Sequence, residues 1–406
     1  MNAADKRQRM IIIIFMYASM ALLGVIASMR STMQPLIKAD FNASYAEQSM
    51  YTFANSAIGI VASTIGSLCV EKKGAKYTVL MGLILMGGSA LTYFVAPSFM
   101  FTIVLSMIFR IGWSGFEIGN TPIFSLVFVT KIASMMSLYH AFYGVGSTIG
   151  PQVYSVLTTV FGMNWRQIHV VIAVMNAVCY FILLTIKIPA KPFESKEALA
   201  ETTTVEETSP TITVKEAYKN KTIWLIGIVL GFIGIYEMCP VSWGVFYLQD
   251  VAGFNATTET ATFISLFYLF QTISRMFLGG IMEKFGYVKA LSGCLILEIA
   301  LHVIAFTFGG NALWLLTVTG LPSGLLWPSV VALNVRIFGR NSGITAGVAM
   351  AICPIISSIC QITNGIMNTT FGIAIGYMSM SAYAVFGVIF LLILGKKLKK
   401  EKYDFV

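Results

Sequence analysis

Charge is what this sequence lacks. Only 11% of its 406 residues are Asp, Glu, Lys or Arg, against 57% hydrophobic residues and a mean hydropathy of +0.79. Soluble domains carry about 25% charged residues, and so long a chain with so few charges has no means of wetting its surface. A soluble enzyme and a disordered regulator are excluded. Cysteine is scarce as well. Cys69, Cys179, Cys239, Cys294, Cys353 and Cys360 form no C-x-x-C pair and lie in or beside apolar runs, so they read as small packing side chains rather than disulfides or metal ligands. Walker loop, dinucleotide fingerprint, HExxH and nucleophile elbow are missing too. ATP-driven transport by this chain alone and enzymatic chemistry are therefore not expected, nor any cofactor or metal. The net charge of +9 forms no basic face for nucleic acid, because the cations sit in short loops.

What the chain has is apolar length. A membrane helix needs about 20 apolar residues, and twelve runs qualify: about 10–37, 45–70, 76–96, 100–127, 133–160, 166–187, 222–248, 259–282, 288–308, 312–335, 343–366 and 372–395. The first follows Lys6, Arg7 and Arg9 but is too long, and lacks the small-residue cleavage site, for a signal peptide. Of the 27 Lys and Arg, only Lys38 and Arg166 fall on the side opposite the termini, and Arg30, Arg110 and Arg275 fall inside spans. The rest gather on the terminal side, which the positive-inside rule makes cytoplasmic. A multi-pass protein of the plasma membrane, with both termini cytoplasmic and lipid as its main surrounding, is expected.

One long polar stretch, rich in Glu, Thr, Lys and Pro, divides the chain. It reads as a flexible linker. The expected domains are a six-helix bundle over 1–187, a cytoplasmic linker over 188–220, a second six-helix bundle over 221–396 and a basic tail over 397–406. Two strings recur across the linker. Phe41-Asn42-Ala43-Ser44 returns as Phe254-Asn255-Ala256-Thr257, and Glu71-Lys72-Lys73-Gly74 returns as Glu283-Lys284-Phe285-Gly286. Matching topological positions mark two related halves. The first pair also fits turn and cap chemistry, with Ser44 and Glu47 as a capping box; both triplets match the N-x-[ST] glycosylation pattern, a weaker reading.

The second pair resembles the loops of major facilitator transporters between helices 2 and 3 and between helices 8 and 9. The resemblance implies an all-α membrane protein of twelve transmembrane helices in two pseudo-symmetric six-helix bundles. It also implies that Glu71, Lys72 and Gly74, with Glu283, Lys284 and Gly286, act as gating latches. Within that superfamily three stretches are similar to the fucose/galactose/hexose-type sugar:proton symporters. They are Gly115-Phe116-Glu117-Ile118-Gly119-Asn120, then Leu138 to Gly146 with Gly150-Pro151, and Gly234 to Trp243 followed by Ser274-Arg275. The first span departs from the pattern, carrying Arg30 where some proton-coupled sugar porters have an acid. The glycine run Gly144, Gly146, Gly150-Pro151 also resembles drug/proton antiporters.

Ionisable groups inside membrane spans are costly and face cavities or partners. Arg110, Trp113, Glu117 and Asn120 fall at i, i+3, i+7 and i+10 and share one helix face. Glu117 and Glu237 are the candidate proton carriers, with Arg110 as the cation that biases Glu117. Arg30, about 10 Å from the far end of its span by helical rise, lies at a depth comparable to Arg110, and two guanidiniums there suit a carboxylate or phosphate. Gln34, His140, Tyr143, Trp243, Tyr247, Gln271, Gln361 and Asn364 add hydrogen bonds and aromatic platforms for a hydrophilic solute. Glu298 and His302 read as a local pair. The expected function is secondary active transport of a small solute, either a sugar or a sugar-acid/organic anion, by alternating access. Protons are the expected coupling ion and a monomer the expected assembly. A drug or amphipathic-compound efflux antiporter is the alternative, and a receptor without transport the third.

Overall fold

The computed structural model describes residues 3–128, 132–189, 193, 212–401 and 403. The linker residues 190–192 and 194–211, together with Lys131, Lys191, Lys196 and Lys402, lie outside the described residues. Among those described, the regular structure is helical and no strand occurs. The chain forms two compact units, Met1–Ala43 with Ala54–Glu207 and Ser44–Phe53 with Thr208–Val406.

The first unit is built from α1 (Ala3–Asp40), α2 (Tyr45–Lys73, from Ala54 onward), α3 (Ala75–Thr92), α4 (Phe99–Val127), α5 (Ile132–Thr159) and α6 (Trp165–Thr185). α1 packs along α5, and α3 packs between α4 and α6. Lipid gives apolar helices little reason to associate, so small residues that admit close backbone contact carry the packing. At the α1–α5 crossing a Cβ on Gly146 would stand 1.8 Å from the Ala21 carbonyl, and one on Gly24 would stand 2.1 Å from that of Tyr143. Neither position admits a side chain.

The second unit holds α7 (Val214–Lys219), a broken run α8 (Lys221–Glu237), α9 (Cys239–Ser242) and α10 (Gly244–Asp250), then α11 (Glu259–Phe277), α12 (Gly280–Phe285) and α13 (Tyr287–Phe308). It continues with α14 (Leu315–Val318), α15 (Gly320–Phe338), α16 (Ser342–Ser379) and α17 (Ser381–Lys400). α8 packs along α16, as α1 does along α5 in the other unit, and α11 packs along α15. The span expected over 222–248 is interrupted at Met238 and Trp243. Pro240 explains the first break, because its ring nitrogen offers no hydrogen to the Tyr236 carbonyl.

Helix ends follow the local sequence. Ser44 and Glu47 exchange hydrogen bonds as a capping box, and Asn164/Gln167 and Thr213/Glu216 do the same. The Thr213 N–H and hydroxyl hold the exposed Glu216 carboxyl below the usual carboxylate range. Asn255 Oδ1 accepts from the backbone of Thr257 and Thr258, so the recurring Asn-Ala-Ser/Thr strings do serve as turns. Basic side chains close helix C-termini: Lys76 Nζ donates to the Leu184 and Ile186 carbonyls at 3.0 and 2.6 Å, and Arg9 Nε to the Val127 carbonyl at 3.0 Å.

Among the described residues nine helices are long and apolar enough to cross a membrane. The fifth, seventh and eighth expected spans fall on α5, on the broken run α8–α10 and on α11, which fall outside that set. α5 carries His140, Pro151 and Gln152, and α11 carries Glu259, Gln271 and Arg275.

Candidate functional site

In the first unit α4 is set by Ser98, which caps its N-terminus by accepting from the Phe101 N–H. About five to six turns on, Glu117 and Asn120 reach a cavity of about 100 Å³ with Met20, Thr121, Phe124, Met136, Tyr139 and His140. That volume takes a few waters, or one edge of a small solute. Asn120 is 2% exposed and its Nδ2 donates to the Phe116 carbonyl at 3.0 Å. A carbonyl only accepts, so the amide orientation is fixed and Oδ1 is left as a buried acceptor. That Oδ1 has no partner, and neither has the hydroxyl of buried Tyr139 across from it on α5. Thr121 gives its proton to the Glu117 backbone carbonyl, leaving oxygen lone pairs. The walls therefore present a carboxyl, an amide oxygen and two hydroxyls, and Glu117 also feels Arg110 and bonds Trp113.

The rest of the expected stripe lies nearer the start of α4. Trp113 meets Tyr143 edge to face at 6.1 Å, and Arg110 lies against Gly59 of α2, 3.5 Å from where a Cβ would stand. Arg30 of α1 lies beside α4 as well. Its guanidinium lies 3.8 Å from the Phe109 ring centre and donates to Tyr93 Oη at 3.3 Å, and the Tyr93 ring stacks on His169 at 4.1 Å. Aromatic faces hold this cation. Gln34 is buried one turn beyond it on α1. Tyr139, Thr121, Met20, Phe124 and Met136 were not singled out by sequence reasoning. Only Tyr139 had a signal, its place beside His140 in the sugar-porter-like stretch.

The second unit places Glu237 at the last residue of α8, 4% exposed. A helix C-terminus carries partial negative charge, so a carboxylate there needs a cation. Arg275 of α11 supplies it, Nη2 to Oε1 at 2.9 Å, and Gln271 Nε2 donates to the same oxygen at 2.9 Å and to Ser323 Oγ at 3.2 Å. Glu237, Gln271 and Arg275 thus form one site. Trp243 Nε1 donates to Gln361 Oε1 at 3.3 Å, both buried. Tyr247 packs against Phe306 and Tyr377. Asn364 is helical and braces a break in α16: its Nδ2 donates to the Gly376 carbonyl at 2.8 Å, its Oδ1 accepts from Asn368, and Gly372, where the helix is interrupted, has φ 83°. The His302 ring meets Tyr236, Cys239 and Tyr377 rather than the Glu298 carboxyl.

At the recurring loops Gly74 and Gly286 have φ of 91° and 82°, a region open to glycine and strained for other residues. Glu283 is bonded to Arg336 of α15 and accepts from Tyr287 Oη at 2.7 Å, and Lys284 lies over Phe285 at 5.4 Å. Glu71 and Lys72 are exposed and make no ion pair among the described residues.

Two units of apolar helices, one helical run broken beside an ion pair, and a small, mostly apolar cavity lined by Glu117 and Asn120 fit a membrane carrier. The family model of the Major Facilitator Superfamily matches residues 10–352, and the chain belongs to that superfamily of transporters. Similar proteins include a putative glucose/galactose transporter of Helicobacter pylori, 24% identical over 82% of this chain and 83% of its own. A glucose/galactose transporter of Brucella abortus is 22% identical over 87% of each chain. Among solved structures, a bacterial homolog of the human lysosomal transporter Spinster, inward-facing and occupied, superposes with a TM-score of 0.79, 13% identity and coverage of 97% and 98%. The nucleoside transporter NupG gives 0.75, 12% identity and coverage of 95% and 99%. These structural likenesses establish the fold.

Proposed function

We propose that this transporter moves a small, neutral, hydroxyl-rich solute of the sugar class, coupled to protons, by alternating access. One observation carries the reading. Around the cavity lined by Glu117, Asn120 and Tyr139, the Asn120 Oδ1 is a buried acceptor without a partner and the Tyr139 hydroxyl is without one too, so a ligand that donates and turns these groups toward it would satisfy them. Hydroxyl groups do so, whereas a carboxylate would meet acceptors and a like charge. Arg30, the second cation of the anionic reading, stacks on Phe109 and donates to Tyr93. The names of the similar glucose/galactose transporters agree with a sugar.

In this reading Glu117 carries the coupling proton, Arg110 biases it, and the Glu237–Arg275 site is a second coupling centre. The helix-end groups Glu71, Lys72, Gly74, Glu283, Lys284 and Gly286 act as latches. Residues 1–187 and 221–396 are the two bundles of a twelve-span monomer in the plasma membrane. The linker 188–220, the tail 397–406 and both termini are cytoplasmic, as the distribution of Lys and Arg argues.

Thermal-shift measurements against neutral sugars, sugar acids, dicarboxylates and lipophilic cations test the solute class. Stabilisation by neutral sugars is expected, and stabilisation by carboxylates alone overturns it. Met20, Phe124 and Met136 beside Glu117 suit a lipophilic amine, and stabilisation by the lipophilic cations alone would replace the sugar reading with an efflux antiporter. Glu117→Gln should abolish uptake driven by a pH gradient in proteoliposomes while sparing solute exchange. Unchanged gradient-driven uptake removes Glu117 from the coupling role.

A further inference from the structure

Glu298 of α13 is a buried acid that the reading above leaves without a role. It is 2% exposed, its Oε1 has no hydrogen-bond partner, and no Lys or Arg pairs with it among the described residues. Four titratable groups act on it or feel its charge: Cys294 on its own helix, Tyr236 and Cys239 on the broken run, and the carboxyl of Glu237. His302, one turn on, looks elsewhere. Its nitrogens meet the Tyr236 hydroxyl at 2.9 Å, the Tyr377 hydroxyl at 3.4 Å, the Cys239 sulfur at 3.6 Å and the backbone oxygen of Glu298 at 3.1 Å. From α17, Ser381 acts on Tyr236 rather than on the acid.

Two carboxyls thus stand within electrostatic reach of each other, and of the two only Glu237 is bonded by Arg275, whose Nε donates to the Gly324 carbonyl. A buried carboxylate without a cation is unfavourable, and two like charges so placed are more so. The arrangement suits one negative charge and one proton. We propose that Glu298 is a resident proton-binding site, holding its proton while Arg275 bonds Glu237, and that opening this bridge draws a second proton from solution onto Glu237. In that step one O–H bond forms on Glu237, none breaks on Glu298, and the unit gains one positive charge. The inference goes beyond the coupling scheme above, which gives Glu298 no part.

Infrared spectroscopy of the purified full-length protein, titrated from mildly acidic to mildly alkaline pH, reads this directly. A carboxylic-acid C=O band should persist through neutral pH, survive in Glu117→Gln and Glu237→Gln, and vanish in Glu298→Gln. A band untouched by Glu298→Gln overturns the assignment. Arg275→Met should add a second acid band, lost again in Arg275→Met/Glu237→Gln, and its absence overturns the coupling to the bridge. If Glu298→Gln does not fold, Tyr236→Phe removes a dipole beside the acid and should shift the band frequency, and no shift overturns the proposal. None of these readouts needs a solute. Their failure leaves the transport reading standing, and failed uptake assays leave the bands untouched.

Discussion

Asn120 and Tyr139 illustrate the residue scale, where a single hydrogen bond decides the chemistry on offer. The Phe116 carbonyl fixes the Asn120 amide, and the opposing Tyr139 hydroxyl has nothing to bond. Leaving a buried hydroxyl unpartnered costs about 1–3 kcal/mol, so a ligand that satisfies it gains what the empty protein lacks. Tyr139→Phe should leave the melting temperature of the solute-free protein unchanged or slightly raised. Solute affinity should fall about tenfold, the equivalent of roughly 1.4 kcal/mol. Isothermal calorimetry and thermal melting separate the two effects. Glu117 and Asn120 were legible beforehand because both are polar and share a helix face inside a span. Tyr139 was not, since an aromatic at a helix position is as often packing as contact, and only the placement of α5 beside α4 turns it inward.

Helices in this protein are placed as much by what is small as by what is apolar. The α1–α5 crossing admits no Cβ at Gly146, where the Ala21 carbonyl would stand 1.8 Å away. Gly146→Val should force the two helices apart and lose most folded protein, read as the monodisperse fraction after detergent extraction. A variant that extracts and melts like the wild type would show that the crossing tolerates separation. Nine of the expected spans were legible because about 20 apolar residues make a membrane helix whatever packs on it. The break after Glu237 was less so. Pro240 was visible, but a proline is accommodated in many membrane helices, and only the backbone shows that this one ends α8 at the residue that carries the acid.

For the whole molecule the two recurring loops say most. Gly74 and Gly286 share the same unusual backbone region, 212 positions apart, so the repeat is one of conformation as well as of letters. Their acids differ: Glu283 is bonded to Arg336, while Glu71 has no ion pair among the described residues. An exposed pair of this kind contributes only about 0–1 kcal/mol to stability, so Glu283→Arg should melt close to the wild type. If the pair is a latch, that variant should slow uptake, and the charge swap Glu283→Arg/Arg336→Glu should restore it. Equal uptake by single and double variants would make the contact incidental. The recurrence of the two loops was thus legible from short strings. The side chains that share a site were not, because they come from helices far apart in the chain.

The bridge between Glu237 and Arg275 has an electrical corollary. A carboxylate and a guanidinium held 2.9 Å apart make a dipole with no net charge, so moving them together through the membrane field does almost no work. One uncompensated elementary charge, by contrast, exchanges about 2.3 kcal/mol with each 100 mV of membrane potential. In the intact bridge, then, the second unit is voltage-silent, and any current that accompanies uptake reports protons that arrive without a partner. Transient currents recorded on supported membranes should shrink in Glu117→Gln and grow in Arg275→Met, whose unaccompanied carboxylate must gather its own countercharge from solution.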